Sequence, residues 1–131
     1  MNRFALLLSL SLVWTKVSQA NKITDFYEIE NVQLPDLLLQ RYGNSQGGQG
    51  TQADGLDFMP DGRLVACFVG GEIFTLSPKT GKWKLFADGM HTPLGVVALS
   101  DREVMVSQRP ELTLLKDSNG DGVADEYSVF S

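Results

Sequence analysis

The stretch KDSNGDGVADEY, Lys116 to Tyr127, concentrates oxygen donors. Its spacing is Asp117-x-Asn119-x-Asp121-Gly122-x-x-Asp125. Side-chain oxygens at positions 1, 3, 5 and 9 of such a loop, with the backbone carbonyl of Val123 at position 7, can surround one Ca²⁺, and Gly122 permits the turn that brings them round. A hard cation suits these ligands better than zinc, because the loop has no Cys or His. Position 12 is Ser128 rather than a bidentate Glu, and the flanks are strand-like, so the loop departs from an EF-hand. The expected role is a staple of the hairpin, with weak affinity on the order of 10⁻⁴–10⁻³ M. The alternative is a solvated acidic turn with no ion.

Two further residues could carry chemistry. His91, in GMHTPLGVV, is the sole histidine, and an imidazole titrates where a general base is useful. Arg109, in SQRPEL, could orient an anion or a carbonyl. The plainer readings are a His packed under a turn and an Arg paired with Glu111. Cys67 is the sole cysteine and lies in RLVACFVG, a β-like run, so no internal disulfide forms and a buried inert thiol is expected.

These residues need a scaffold, and the chain supplies one twice. GLDFMPDGRLVACFVGGEIFTLSP from Gly55 lies over GVVALSDREVMVSQRPELTLLKD from Gly95, a period near 40, with Asp61 over Asp101 and Leu64 over Val104. Each repeat breaks into four β-type segments: Leu56–Met59, Arg63–Val69, Glu72–Leu76 and Trp83–Ala87, then Leu94–Leu99, Glu103–Gln108, Glu111–Leu115 and Tyr127–Phe130. Pro60-Asp61-Gly62, Gly70-Gly71 and Pro78–Lys82 supply the turns. The expected class is all-β, with four antiparallel strands per repeat as in a β-propeller blade; a generic sandwich is the rival. A propeller closes with typically 4–8 blades, and stacked repeats generally need at least three. Two blades would leave both outer faces bare, so the chain is expected to be the N-terminal portion of a longer protein.

Alternate loops of a blade emerge on the same rim. One rim is expected to carry PDG, SDR and the acidic loop. The other would carry Asp54, Gly70, Gly71, His91, Arg109 and Glu111.

Three regions are expected: 1–20, 21–54 and 55–131. Residues 1–20 read as a secretory signal, with Arg3, the apolar run Phe4–Trp14, and small Ser18 and Ala20 before the cut. An uncleaved anchor or a buried strand is the alternative. In the second region FYEIENVQLP, Phe26 to Pro35, alternates like a strand, LPDLLLQRY could form a turn of helix, and Gly43–Gly55 is a Gly/Gln-rich loop. The expected location is periplasmic or extracellular, with no transmembrane segment after cleavage. The whole chain carries a net charge of −5, and loss of Arg3 and Lys16 makes the remainder more acidic. Nucleic acid is thereby disfavoured as a partner, since phosphate binding needs a basic footprint.

Three runs together carry a resemblance: GLDFMPDGRLVACFVGGEIFTL, FADGMHTPLGVV and SQRPELTLLKDSNGDGVADEY. They resemble the glucose/sorbosone dehydrogenase-like propellers, and most closely an exported bacterial group of membrane-bound dehydrogenase-like proteins. The likeness covers about Phe26 to Ser131. The acidic loop is itself similar to short Asp-x-Asx-x-Asp-Gly-x-x-Asp loops in hairpins of other propellers. The resemblance implies a six-bladed propeller, a pyrroloquinoline quinone cofactor polarised by calcium, and a His base oxidising the hydroxyl of a small-molecule sugar or alcohol. It also implies a c-type haem domain downstream in the parent protein. His91 precedes a first blade strand as that base does, although MHTPLG departs from the characterised motif. The quinone-binding Arg and Lys positions would fall mostly beyond Ser131, so this stretch alone is expected to be inactive. The alternative is a calcium-stapled propeller, without catalysis, that binds glycan or protein.

Overall fold

The structure is a computed structural model that describes residues 28, 30–43 and 50–130. The expected signal, 1–20, lies outside the described residues. The chain divides into a unit of residues 1–31, of which 28, 30 and 31 are described, and a unit of residues 32–131. Among the described residues no helix is long and apolar enough to cross a membrane.

The second unit is mostly β. One helix, α1 (Asp36–Tyr42), precedes eight strands: β1 (Ala53–Phe58), β2 (Leu64–Phe68), β3 (Ile73–Ser77), β4 (Lys82–Ala87), β5 (Gly95–Ala98), β6 (Glu103–Ser107), β7 (Leu112–Lys116) and β8 (Glu126–Phe130). They form two antiparallel four-stranded sheets, ordered β1-β2-β3-β4 and β5-β6-β7-β8. We call them sheet A and sheet B. All eight expected strands are present, and β1 starts at Ala53, three residues before its expected start. Turn chemistry fixes the register. Gly62, at φ 88, donates its N–H to the Met59 carbonyl at 2.9 Å, which closes the Pro60-Asp61-Gly62 turn.

The two sheets share one apolar seam. Val65, Cys67, Ile73 and Phe86 from sheet A pack with Val96, Val104, Val106 and Leu115 from sheet B, joined by Met90 of the linker between the sheets and Ala124 of the β7–β8 loop. β1 and β5 come close enough there that a Cβ on Gly55 would lie 2.8 Å from the Cα of Gly95.

One outer face is not bare as expected. Leu38 of α1, fully buried, packs on Ala66, Phe68 and Phe74, with Leu37, Tyr42, Trp83 and Leu85 around them. Burying one such Leu stabilises by about 1.5–3 kcal/mol. Phe68, Phe74 and Trp83 meet edge to face with centroids 5.7–6.3 Å apart. A seven-residue helix is too short to persist alone, so this contact and the hydrogen bonds of Arg41 and Tyr42 to Glu72 hold it. Leu56 and Phe58, opposite Ala66 and Leu64, lie beyond the helix and stay exposed. On sheet B, Val97, Leu112 and Phe130 are likewise exposed.

The strand expected over Phe26–Pro35 is absent from its described members, residues 28 and 30–35. Within the second unit, the Trp83 indole N–H of β4 donates to the Gln33 carbonyl at 2.7 Å.

Candidate functional site

The linker between the sheets, Asp88 to Leu94, positions His91. Met90 N–H donates to the Gly71 carbonyl at 3.0 Å, and Leu94 N–H to the Ser107 carbonyl at 2.8 Å. Between these anchors both polar backbone groups of His91 are held from sheet B. Its N–H donates to the Gln108 side-chain Oε1 at 2.5 Å, and its carbonyl accepts the Arg109 N–H at 3.0 Å. Thr92 follows at φ 48, a left-handed conformation that a β-branched residue adopts at a cost. His91 and Arg109 thus share one rim at the seam, as expected, and both side chains are exposed.

No ion pair joins Arg109 to Glu111 among the described residues. Glu111 instead accepts the Thr113 hydroxyl at 3.3 Å. Asp54, on the same rim, accepts from Gln52 Nε2 at 3.0 Å. Gly70 and Gly71 form the neighbouring turn, with Gly71 at φ 110 and its Cα side closed by the Met90 carbonyl.

Sequence reasoning missed a polar cluster on this rim. Arg41 of α1 donates to Glu72 Oε1 at 2.6 Å and to Asp88 Oδ2 at 2.7 Å, and the Tyr42 hydroxyl donates to the same Glu72 oxygen at 2.9 Å. Glu72 is fully buried, and its Oε2 has no hydrogen-bond partner among the described residues. The Arg41 hydrogen bond holds Asp88 below the usual carboxylate range, against desolvation. Burial, then the Glu72 carboxylate, raises the Tyr42 phenol. The available signal was weak: one acid opening a strand after Gly70-Gly71, and Arg41-Tyr42 ending a short apolar helix.

The acidic loop, residues 117–125, lies on the opposite rim beside the β5–β6 turn. Its oxygens face backbone N–H groups. Asp117, only 3% exposed, accepts from Gly120 at 2.6 Å and Asp121 at 3.2 Å through Oδ1, and from Gly122 at 2.8 Å through Oδ2. Asn119 Oδ1 accepts from Asp121 N–H, Asp121 Oδ1 from Val123 N–H, and the Asp125 carboxylate from Ser118 N–H and hydroxyl. The Ser118 N–H, then its hydroxyl, holds Asp125 below its ordinary range. No group of three His, Cys, Asp or Glu side chains is gathered for a metal among the described residues.

The loop also reaches sheet A. Ala124 N–H donates to the Phe86 carbonyl at 2.7 Å, and Lys84 Nζ donates to the Asp121 carbonyl. Nearby, Asp101 Oδ1 accepts the Asp61 N–H at 2.7 Å, so repeat-equivalent turns are joined. The loop is therefore placed across two sheets, beyond the single hairpin expected.

Cys67 is buried in the seam, and desolvation raises its thiol, in keeping with an inert side chain. A cleft of about 500 Å³ beside α1, lined by Leu37, Phe74, Trp83 and Leu85, and one of about 390 Å³ beside Asp101 and Asp117 include neither His91 nor Arg109.

One family profile, Domain of unknown function (DUF7133), matches residues 78–131, which takes in β4 and all of sheet B. No curated protein and no solved structure matches the chain.

Proposed function

We propose that sheets A and B are consecutive blades of a β-propeller whose working rim carries His91 and Arg109. The carrying observation is their backbone pairing at the seam, with both side chains exposed and His91 fixed on both of its polar backbone groups. Two repeated meanders stacked on a shared seam, each with apolar residues still exposed on its far face, support the blade reading.

On this reading the parent protein is an exported oxidoreductase acting on a sugar or alcohol. His91 takes the hydroxyl proton, and Arg109 orients the polar end of the substrate. A bound quinone would supply the two-electron acceptor. Quinone and haem domain come from the resemblance alone, and no described residue is assigned to either.

Asp117, Asn119, Asp121, Asp125 and the Val123 carbonyl are proposed to hold calcium on the far rim, as a structural ion. The donor set supports this, being all oxygen and strongly acidic. At 100 times its dissociation constant, calcium would add about 2.7 kcal/mol.

The test is dye reduction by the full-length protein with quinone, calcium and a panel of aldoses and alcohols. Turnover that His91→Ala abolishes supports the oxidoreductase. Absence of turnover, with glycan or protein retained on an affinity array, favours the binding module instead. For the ion, calcium should raise the melting temperature of the parent and not of Asp121→Ala; equal shifts remove the staple.

A further inference from the structure

The geometry points to Gln108 as the positioning residue for His91, an assignment that rests on reading His91 as the proton acceptor. Gln108 ends the run that follows β6 and is half-buried. Its carboxamide works at both ends. Oε1 accepts the His91 N–H at 2.5 Å, while Nε2 donates to Thr113 Oγ1 at 2.7 Å. Thr113 lies on β7, is 4% exposed, and passes its own proton toward Glu111 Oε1 at 3.3 Å. His91, in a linker, is thereby tied through one side chain to a buried residue of sheet B.

The requirement for this residue type is chemical. The position needs an acceptor and a donor at once, on a side chain long enough to span the gap. The Gln amide offers both at the tip of a flexible stem, and Asn is one methylene shorter. A carboxylate keeps the acceptor and loses the donor; Met keeps neither. The adjacent residue completes the clamp, since Arg109 N–H holds the His91 carbonyl at 3.0 Å.

The linker gives the clamp something to hold. Thr92 at φ 48 is a strained conformation for a β-branched residue, and such strain persists where neighbouring contacts over-determine it. Releasing Gln108 removes one of the two contacts on the residue before it. The backbone at 91, from which the imidazole projects, then relaxes.

The experiment uses the intact chain, in which His91 is the sole histidine, so selective histidine labelling reports on it alone. Amide exchange at His91 and the imidazole resonances across pH are followed in Gln108→Met, Gln108→Glu and Thr113→Val. Gln108→Met should speed His91 exchange about fivefold to tenfold, the factor for losing one hydrogen bond, and should split or broaden the ring signals. Thr113→Val should act in the same direction although Thr113 does not bond His91. Gln108→Glu, which retains the acceptor, should stay nearer the parent. Protection of Val104 and Val106, in the seam, should be unchanged. Parent-like His91 behaviour in Gln108→Met or Thr113→Val, or Gln108→Glu behaving like Gln108→Met, would overturn the assignment. Should Gln108→Met unfold, Thr113→Val decides alone: faster His91 exchange supports the assignment, and parent-like exchange overturns it. These readouts need no turnover. If dye reduction proves independent of His91, the proton-acceptor reading falls and the positional result is still read.

Discussion

Gly55 and Gly95 occupy equivalent places in the two repeats and meet across the seam, where a Cβ on Gly55 would sit 2.8 Å from the Gly95 Cα. No real Cβ tolerates that distance, so the inner strands β1 and β5 approach only because the first of these residues lacks a side chain. The relation is one-sided. A Cβ on Gly95 would meet nothing within 4 Å.

Gly55→Ala should therefore destabilise the fold by about 1–3 kcal/mol, the usual range for overpacking a tight contact. Gly95→Ala should be close to neutral. Urea denaturation of the two variants side by side checks the contrast, and equal midpoints would refute the close approach.

Arg41 and Glu72 make a second test. Arg41→Met leaves a fully buried carboxylate with the Tyr42 hydroxyl as its remaining donor. A broken buried pair costs about 3–5 kcal/mol, and the partial exposure of Arg41 should reduce this to roughly 1–3 kcal/mol. Adding Glu72→Gln to Arg41→Met should recover part of the loss, because the unpaired charge goes too. A strictly additive double-mutant cycle by chemical denaturation would show that the two side chains are uncoupled.

The same cluster gives a pH window. Asp88 is held below its ordinary value of about 3.9, so its contribution is complete above that value and falls away as pH drops through the lower folded value. Tyr42 is raised above about 10, so its contribution is complete below 10 and is lost as pH climbs toward the higher folded value. α1 should stay docked most firmly between about pH 5 and 9. Hydrogen exchange of the α1 amides, corrected for intrinsic rate, should slow inside this window and speed up on both sides. A flat profile would be incompatible with the titrating pairs.

Asp117→Ala removes acceptors from three N–H groups in a loop whose anchor is buried. A loss of about 2–4 kcal/mol is expected in chelator, since one carboxylate serves several donors, and a larger loss in calcium, where a proposed ligand goes too. Asp125→Ala, on the exposed side of the loop, should cost less. Thermal melts in chelator and in calcium separate the two variants; equal losses would show that Asp117 does not anchor the loop.

The β framework was readable because its signals are local. Pro60-Asp61-Gly62 and Gly70-Gly71 mark turns by backbone chemistry, and the β-branched and aromatic runs between them mark strands. The shared rim of His91 and Arg109 followed from counting strands. Glu72 was not readable, because an acid in sequence does not announce burial; only the folded helix brings Arg41 and Tyr42 to it across 30 residues. The role of Gln108 was hidden for the same reason. The Phe26–Pro35 alternation misled because alternation alone does not supply ladder hydrogen bonds; among its described members, Gln33 meets sheet A through the Trp83 indole.

The bond from Ala124 to Phe86 has a kinetic meaning. The β7–β8 connector rests against a strand about 40 residues earlier in the chain, so this contact of the last hairpin needs sheet A in place. A chain made from its N-terminus delivers β4 first and the connector afterwards. In this contact the order of synthesis matches the order in which its two partners become available.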